Sequence, residues 1–298
     1  MSAISSIEWT DRTWNPVRGC SVVSPGCVNC YAMKMAHRFS GPGGPYEGLT
    51  KQTKAGPQWT GVVRPVESAL LAPLSWRKPA RVFVNSMSDL FHEGVPDVFI
   101  ERVFSVMALA ERHTFQILTK RPERMREWFS ARRFDVKGYA ILQTETAGEW
   151  LYALPWPLPN VWLGVSVENQ EQAVARIPLL LQVPAAVRFI SAEPLLSPVS
   201  LAPWFDGVLT DFSRADYPIH WTIIGGESGP QARPCDARWI SDLIGQCRDA
   251  GVAVFVKQLG ANPRDARYDM GGTPAFRDRK GGDPAEWPDE LRVREFPR

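Results

Sequence analysis

Three cysteines lie within eleven residues of one another, at Cys20, Cys27 and Cys30. Three thiols in one short loop are too many for a single disulfide bond, and clustered reduced cysteines are typical of metal sites. An iron–sulfur cluster of the [4Fe–4S] type held by three cysteines leaves one iron open to a ligand that is not protein. A zinc ion held by the same thiolates needs a fourth ligand, from a histidine, water or substrate. The spacing predicts a metal centre and leaves both metals open.

The cysteine loop leads directly into a predicted helix that begins near Tyr31. Cys27 and Cys30 are three residues apart at the start of this helix and can face one centre. A tight turn at Pro25-Gly26 can bring Cys20 back toward them. The positive end of the helix dipole would favour an anionic thiolate site.

Composition excludes some classes of protein. The chain has 298 residues, is 44% hydrophobic and has a formal net charge of +2. No apolar run is long enough to cross a membrane, and no secretory signal is visible, so we expect a cytoplasmic location and no membrane partner. A net charge this small neither demands nor excludes a nucleic-acid partner.

Short apolar runs alternate with segments of helical period, which is typical of a parallel α/β fold. The predicted strands cover residues 13–17, 81–85, 114–119, 160–165, 187–191, 221–225 and 252–256. The predicted helices cover residues 31–39, 96–111, 122–133, 168–181 and 237–250. About seven strands, with no dinucleotide-binding or Walker A motif, favour a full or partial TIM-like barrel over a doubly wound sheet.

Three stretches are rich in Gly, Pro or charged residues and are expected to be irregular: 40–61, 134–159 and 261–298. We therefore predict a barrel domain over residues 1–260 and a C-terminal extension over residues 261–298 that packs on it.

Polar residues follow the predicted strands, where the loops of a parallel barrel gather around a ligand. These candidate binding residues are Asn85, Ser88, Asp89, Lys120, Ser166, Glu168, Glu193, Gly225, Gly226 and Glu227. Lys120, Arg121 and Lys257 are cations beside an apolar core. At least one of them is expected to contact an anionic part of a cofactor or substrate, and the alternative is a salt bridge to a neighbouring acid such as Glu193 or Glu227.

Several segments together resemble a phage-associated three-cysteine family of unknown function. They are Ile7-Glu-Trp-Thr-Asp-Arg-Thr-Trp-Asn-Pro16, Gly19-Cys20 to Cys27-Val-Asn-Cys30-Tyr-Ala32, Val82-Phe-Val-Asn-Ser-Met-Ser-Asp-Leu-Phe-His92, Leu118-Thr-Lys-Arg-Pro122, Val165-Ser-Val-Glu168, Ser191-Ala-Glu-Pro-Leu195 and Ile224-Gly-Gly-Glu-Ser-Gly-Pro230. More distantly, the layout is similar to the radical S-adenosylmethionine (SAM) superfamily, whose common spacing is Cys-x3-Cys-x2-Cys. The first gap here is six residues long.

The superfamily resemblance implies a radical-SAM-like barrel with a [4Fe–4S] cluster on Cys20, Cys27 and Cys30, and with SAM bound to its open iron. It implies cleavage of SAM to a 5′-deoxyadenosyl radical, and an external one-electron donor such as a flavodoxin or ferredoxin. In this reading Asn85 to Asp89 contact the methionine ammonium, Lys120 or Arg121 the carboxylate, and Ser166 and Glu168 the ribose. Gly225 and Gly226 allow the backbone to approach the adenine or its ribose closely, and Glu227 forms hydrogen bonds to the polar edges of this ligand.

The phage association implies modification or repair of a nucleic-acid base, and hence a nucleic-acid substrate. Two other classes remain open. One is a zinc protein with His37 or His92 as a fourth ligand. The other is a non-catalytic nucleic-acid adaptor that uses Trp-rich loops and the basic tail at Arg277 to Lys280.

Overall fold

Seven short strands form the central sheet of the computed structural model, which describes residues 5–131, 139–143, 150–155, 157–205, 218–265 and 276–297. The strands are β1 (Arg12–Trp14), β2 (Arg81–Val84), β3 (Thr114–Thr119), β4 (Val161–Ser166), β5 (Val187–Ala192), β6 (Trp221–Gly225) and β7 (Ala253–Gln258). They form where the sequence is β-branched or aromatic and almost wholly buried, as expected for parallel strands covered on both faces. All seven predicted strands are confirmed, with ends shifted by up to three residues.

Five main helices connect or flank these strands. They are α1 (Tyr31–Arg38), α2 (Asp97–Leu109), α3 (Pro122–Ser130), α4 (Gln170–Leu180) and α5 (Ala237–Asp249). Shorter helical turns cover Pro25–Cys27, Glu67–Leu70, Ala72–Ser75, Ala202–Phe205, Pro284–Glu286 and Asp289–Leu291. In the described part of the chain, no helix combines the length and apolar character needed to cross a lipid bilayer.

The strands stand in the sheet in the same order as in the chain, β1 to β7. The β1–β2, β2–β3, β5–β6 and β6–β7 pairs are parallel. A doubly wound sheet would reverse its strand order at a switch point, and this sheet does not. The order confirms the mixed α/β class and is compatible with a partial TIM-like barrel. The narrower prediction of a radical-SAM-like barrel stays a prediction.

The chain divides into two compact units. The first comprises Met1–Val23, Ala32–Gly164 and Gln182–Ala186, and the second comprises Ser24–Tyr31, Val165–Leu181 and Val187–Arg298. The predicted domain boundary after residue 260 stays a prediction.

Aromatic clusters form the core of each unit. In the first, Phe104 stacks on Trp128 with ring centroids 4.8 Å apart, and Phe91 and Phe129 pack around them. In the second, the ring of Trp221 packs against Phe189, Phe255 and Phe296 at 5.7, 6.1 and 5.3 Å. The first cluster joins α2 to α3, and the second joins β5, β6 and β7.

Small two-stranded ladders occupy part of the stretches expected to be irregular. Thr50–Thr53 and Gly56–Trp59 form an antiparallel hairpin, so the prediction of an irregular segment over 40–61 is wrong there. Thr53 closes the turn, because its hydroxyl donates to Gly56 O and accepts from Ala55 N. The other ladders join Val17–Arg18 with Arg64–Pro65, Tyr139–Gln143 with Trp150–Pro155, and Cys235–Asp236 with Pro263–Arg264. The rest of residues 132–156 lies outside the described residues.

The C-terminal segment pairs with the edge of β7. Val256 N donates to Val293 O, Glu295 N donates to Val254 O, and Phe255 and Arg294 form an antiparallel bridge. Covering an edge strand satisfies backbone groups that would otherwise be open to another chain.

Candidate functional site

Cys20 is held in the first unit by the backbone turn before it and by an arginine beside it. Gly19 has φ +88°, and a Cβ there would lie 2.2 Å from Val62 O, so only glycine fits this close approach. Cys20 itself is half-buried. Its Sγ accepts a hydrogen bond from Arg121 Nη1 at 3.8 Å. The positive charge of Arg121 therefore lies against the thiol that the sequence assigns to the metal.

Arg121 is the centre of a polar network in the first unit. Its guanidinium donates to Asp89 Oδ2 at 3.2 Å, Glu93 Oε2 at 3.0 Å and Ser21 Oγ at 2.6 Å. Burial alone would lower the pKa of Arg121, but the charges of Asp89, Cys20 and Glu93 outweigh burial and raise it. Arg121 is thus a fixed cation that forms the alternative contact, a salt bridge to neighbouring acids, and its contact with a ligand stays a prediction.

Asp89 orients this arginine. The residue is 5% exposed, and its carboxylate accepts from Thr119 Oγ1 at 2.7 Å, from Lys120 N at 3.0 Å and from Phe91 N at 3.0 Å, besides Arg121. Its oxygens are therefore occupied by the protein itself. Asp89 positions Arg121 in this structure and does not present a free carboxylate.

His92 has hydrogen-bond partners at both ring nitrogens. Gly94 N donates to Nδ1 at 3.0 Å, which assigns the proton of the neutral ring to Nε2, and Nε2 lies 2.9 Å from Ser21 Oγ. Burial and then the nearby Arg121 lower the pKa of His92, which favours this neutral form. The other predicted zinc ligand, His37, has Nδ1 3.0 Å from Thr50 Oγ1. With partners at both ring nitrogens, His92 is a poor fourth ligand for a zinc ion, whereas a bond at Nδ1 of His37 does not argue against zinc at its Nε2.

Asn85 holds an unsatisfied donor at the end of β2. The residue has φ +61° and is 2% exposed. Val17 N donates to its Oδ1 at 3.4 Å, which fixes the orientation of the amide, and Nδ2 has no partner among the described residues. A buried donor without an acceptor is costly unless a ligand supplies one. Asn85 therefore suits an acceptor such as a carboxylate, whereas the resemblance assigned it to an ammonium. Nearby, Ser88 Oγ donates to Val17 O at 2.8 Å and supports the loop.

In the second unit, Cys27 and Cys30 lie in a tightly hydrogen-bonded segment. A helical turn covers Pro25–Cys27, Cys27 N donates to Ser24 O at 3.0 Å, and Cys30 N donates to Cys27 O at 3.3 Å. Cys27 is buried and Cys30 is half-buried. The segment runs directly into α1, as the sequence predicts.

Glu168 anchors the beginning of this segment. It is 0% exposed, and its carboxylate accepts from Ser24 Oγ at 2.9 Å and from Arg176 Nη1 at 3.2 Å. Arg176 also donates to Ser166 O at 2.9 Å. A Cβ on Gly26 would lie 2.5 Å from Glu168, so the absence of a side chain there lets the loop close over the carboxylate. The predicted ribose-binding pair Ser166 and Glu168 therefore supports the cysteine loop in this structure.

Glu227 anchors the end of the segment. Asn29, which lies between the two cysteines, donates from Nδ2 to Glu227 Oε2 at 2.9 Å. Arg233 forms a fork on the same carboxylate, with Nη2 2.6 Å from Oε1 and Nε 3.0 Å from Oε2. Burial would raise the pKa of Glu227, but the hydrogen bonds from Arg233 and Asn29 outweigh it and lower the pKa.

The remaining predicted residues also have partners in the protein. Glu193 pairs with Lys257 at 2.5 Å, so this lysine forms the salt bridge that was the alternative to a ligand contact. A Cβ on Gly225 would meet Glu193 at 3.4 Å, and one on Gly226 would lie 2.2 Å from Leu259 O. The space beside Gly226 is thus filled by the chain's own backbone.

Two further cysteines contrast with those of the loop. Burial raises the pKa of Cys235 to about 12 and that of Cys247 to about 11, so neither forms a thiolate at neutral pH. Across the residues that the structure describes, no three His, Cys, Asp or Glu side chains are grouped closely enough to hold a metal ion.

A family model described as "Protein of unknown function (DUF5131)" matches residues 4–285. The chain belongs to this family. No curated protein and no solved structure matches it. The expectation of an uncharacterised family spanning most of the chain is therefore supported. The phage association and the similarity to radical SAM enzymes stay predictions.

In this DUF5131 protein, Glu168→Gln should cost far more stability than removal of a surface ion pair. The variant leaves Arg176, which is 3% exposed, without a counter-charge, and we expect a loss of about 3–5 kcal/mol of unfolding free energy. Urea denaturation at pH 7 measures this loss.

The matched control is Glu67→Gln, which breaks the two-bond pair with Arg102 at a carboxylate that is 62% exposed. Its expected cost is about 1 kcal/mol or less. Because an apolar partner can replace a buried ion pair, Glu168→Gln with Arg176→Met should recover part of the stability. Equal losses in the two single variants would show that Glu168 is not an anchor.

The contribution of Glu227 should depend on pH. Its folded-state pKa lies below the ordinary value of 4.5, so its stabilisation is present above that value and is lost as pH falls through the folded pKa. Relative to the native protein, Glu227→Gln should lose about 1.5–3 kcal/mol at pH 7. The difference should shrink progressively as the pH falls below 4.5 in urea titrations. A difference that stays constant over this range would refute the role of the ionised carboxylate.

Proposed function

We propose that this chain is a radical SAM enzyme in which Cys20, Cys27 and Cys30 hold a [4Fe–4S] cluster. One observation carries the proposal: buried charged groups contact Cys20 and residues on either side of Cys27. Arg121 donates to the Sγ of Cys20, and Glu168 and Glu227 hold Ser24 and Asn29. Burying these ionised groups is costly, and a surface loop has no need of them unless its conformation matters.

The chemistry of the donor set fits a cluster. None of the three cysteines forms a disulfide bond among the described residues, and they lie within eleven residues of chain. The cation of Arg121 favours the thiolate form that a metal ligand requires. The proposal rests on these three thiols and on the contacts that hold their loop. It does not rest on a preformed metal site, because no three His, Cys, Asp or Glu side chains of the described residues are grouped closely enough to hold a metal ion.

The protein's own groups would bind and orient the cofactor. Asn85 Nδ2 is a buried donor without an acceptor, which suits the carboxylate of an amino-acid moiety. The fixed charge of Arg121 would stabilise negative charge at Cys20, and a hydrogen bond to a ligating sulfur raises the reduction potential of an iron–sulfur centre. When bound, the cluster and SAM would supply one-electron cleavage of the sulfonium bond to give the 5′-deoxyadenosyl radical.

The partners follow from that chemistry. A one-electron reductant such as a flavodoxin or ferredoxin would be required, and the base-modifying or base-repairing reaction on a nucleic acid remains part of the proposal. A zinc protein is less well supported, since both ring nitrogens of His92 have hydrogen-bond partners and His37 lies two turns beyond Cys30 along α1.

The test is anaerobic reconstitution with iron and sulfide. We expect about four irons per chain. The dithionite-reduced protein should show an electron paramagnetic resonance signal that changes when SAM is added, and 5′-deoxyadenosine should be released in the presence of a reductant.

Cys20→Ala, Cys27→Ala and Cys30→Ala should each lose the iron. Cys235→Ala is the matched control, because that thiol is buried and protonated, and it should retain the iron. Stoichiometric zinc with no capacity for iron would overturn the proposal, as would equal iron loss in Cys235→Ala.

A further inference from the structure

Positive charge is concentrated in residues 12–65, and every Lys and Arg of this range lies in the first unit. Residues 12–65 contain seven Lys and Arg and a single acidic residue, Glu47, which gives this segment a charge of +6 in a chain whose total is +2. The rest of the chain is therefore net acidic. Such an asymmetry marks a surface for an anionic partner.

Six of these cations belong to elements that contact one another. We call them the basic face; they are Arg18, Lys34, Arg38, Lys51, Lys54 and Arg64. Lys34 and Arg38 lie on α1, Lys51 and Lys54 lie in the hairpin, and Arg18 and Arg64 are opposite each other in their ladder.

Side-chain and backbone contacts join these elements. His37 of α1 bonds Thr50 of the hairpin at 3.0 Å, and Tyr46 N donates to Phe39 O at 3.2 Å. The guanidinium of Arg18 lies 5.7 Å from the ring centroid of Tyr46. The six cations therefore belong to one continuous part of the first unit.

No carboxylate neutralises the basic face within the described residues. Arg18 and Arg64 donate to the backbone carbonyls of Pro45 and Glu47, and none of the six cations forms an ion pair there. Arginines elsewhere behave differently, and Arg81, Arg102 and Arg233 each face a carboxylate. Clustered like charges repel one another unless a polyanion is present, and release of its counterions then favours binding.

Aromatic and amide groups accompany the charge. Phe39 is 52% exposed and follows Arg38 directly, and Gln52, Gln58 and Thr60 are exposed on or beside the hairpin. An exposed aromatic ring among cations is suited to stacking on a base, and amide and hydroxyl side chains bond phosphate and sugar oxygens. An anionic membrane surface would not require this combination.

We propose that the basic face binds single-stranded nucleic acid, with phosphates on its Lys and Arg side chains and a base stacked on Phe39. This inference does not depend on the iron–sulfur cluster. A negative result in the cluster experiment would not affect the RNA-binding proposal, and a negative result in the RNA-binding experiment would not affect the cluster proposal.

The test is fluorescence anisotropy of the full chain with a labelled single-stranded RNA 20-mer over a series of KCl concentrations. The variant is Lys51→Glu with Lys54→Glu, at exposed side chains that make no hydrogen bond or ion pair among the described residues. Loss of two phosphate contacts should reduce the magnitude of the slope of log K against log [KCl] by about 1.4 and weaken binding several-fold. Phe39→Ala should weaken binding about five-fold or more while leaving the slope unchanged.

The matched control is Arg279→Glu with Lys280→Glu, which changes the net charge equally at exposed residues of the C-terminal tail. It should bind like the unmodified protein. The proposal is overturned if no RNA binds, if the control weakens binding as much as the hairpin variant, or if anionic phosphatidylserine vesicles bind more tightly than RNA through the same lysines.

Discussion

The carboxylate of Glu168, wholly removed from water, is the constraint on which the cysteine segment depends. A buried charge is tolerated only when it is paired and hydrogen-bonded, and Arg176 and Ser24 meet that requirement. Ser24 can reach the carboxylate because Gly26 has no side chain to obstruct the approach. The position of the loop is therefore determined by the need to satisfy one ion pair.

The need to pair a buried charge also explains why the acidic residues Asp89 and Glu227 at the strand ends have partners within the protein. Asp89 is saturated by Thr119, Lys120 and Arg121, and Glu227 by Asn29 and Arg233. Asp89 and Glu227 orient residues that contact or adjoin the cysteines. In metal sites, residues outside the ligand set orient the ligands in the same way. By contrast, the Nδ2 of Asn85 is buried and has no hydrogen-bond partner among the described residues.

Local patterns were sufficient to predict the regular elements. The β3 strand Thr114–Thr119 and the β6 strand Trp221–Gly225 have the predicted ends, because apolar β-branched runs leave few alternatives. The hairpin Thr50–Thr53 with Gly56–Trp59 was missed, since its strands are polar and its Gly and Pro residues are typical of loops. The sequence names candidate residues but not their partners in the fold. Ser24 and Glu168 are 144 positions apart and Asn29 and Glu227 are 198 apart, and no local pattern encodes such pairs.

The central claim is that contacts within the protein fix the cysteine segment before any metal binds. Hydrogen–deuterium exchange of residues 24–31 in the metal-free protein tests it most directly, because the amides of Cys27 and Cys30 donate to Ser24 O and Cys27 O. The account predicts slow exchange in the metal-free protein, and fast exchange in Glu168→Gln. Exchange at the rate of an unstructured peptide in the metal-free protein, with protection only after iron and sulfide are added, would contradict it.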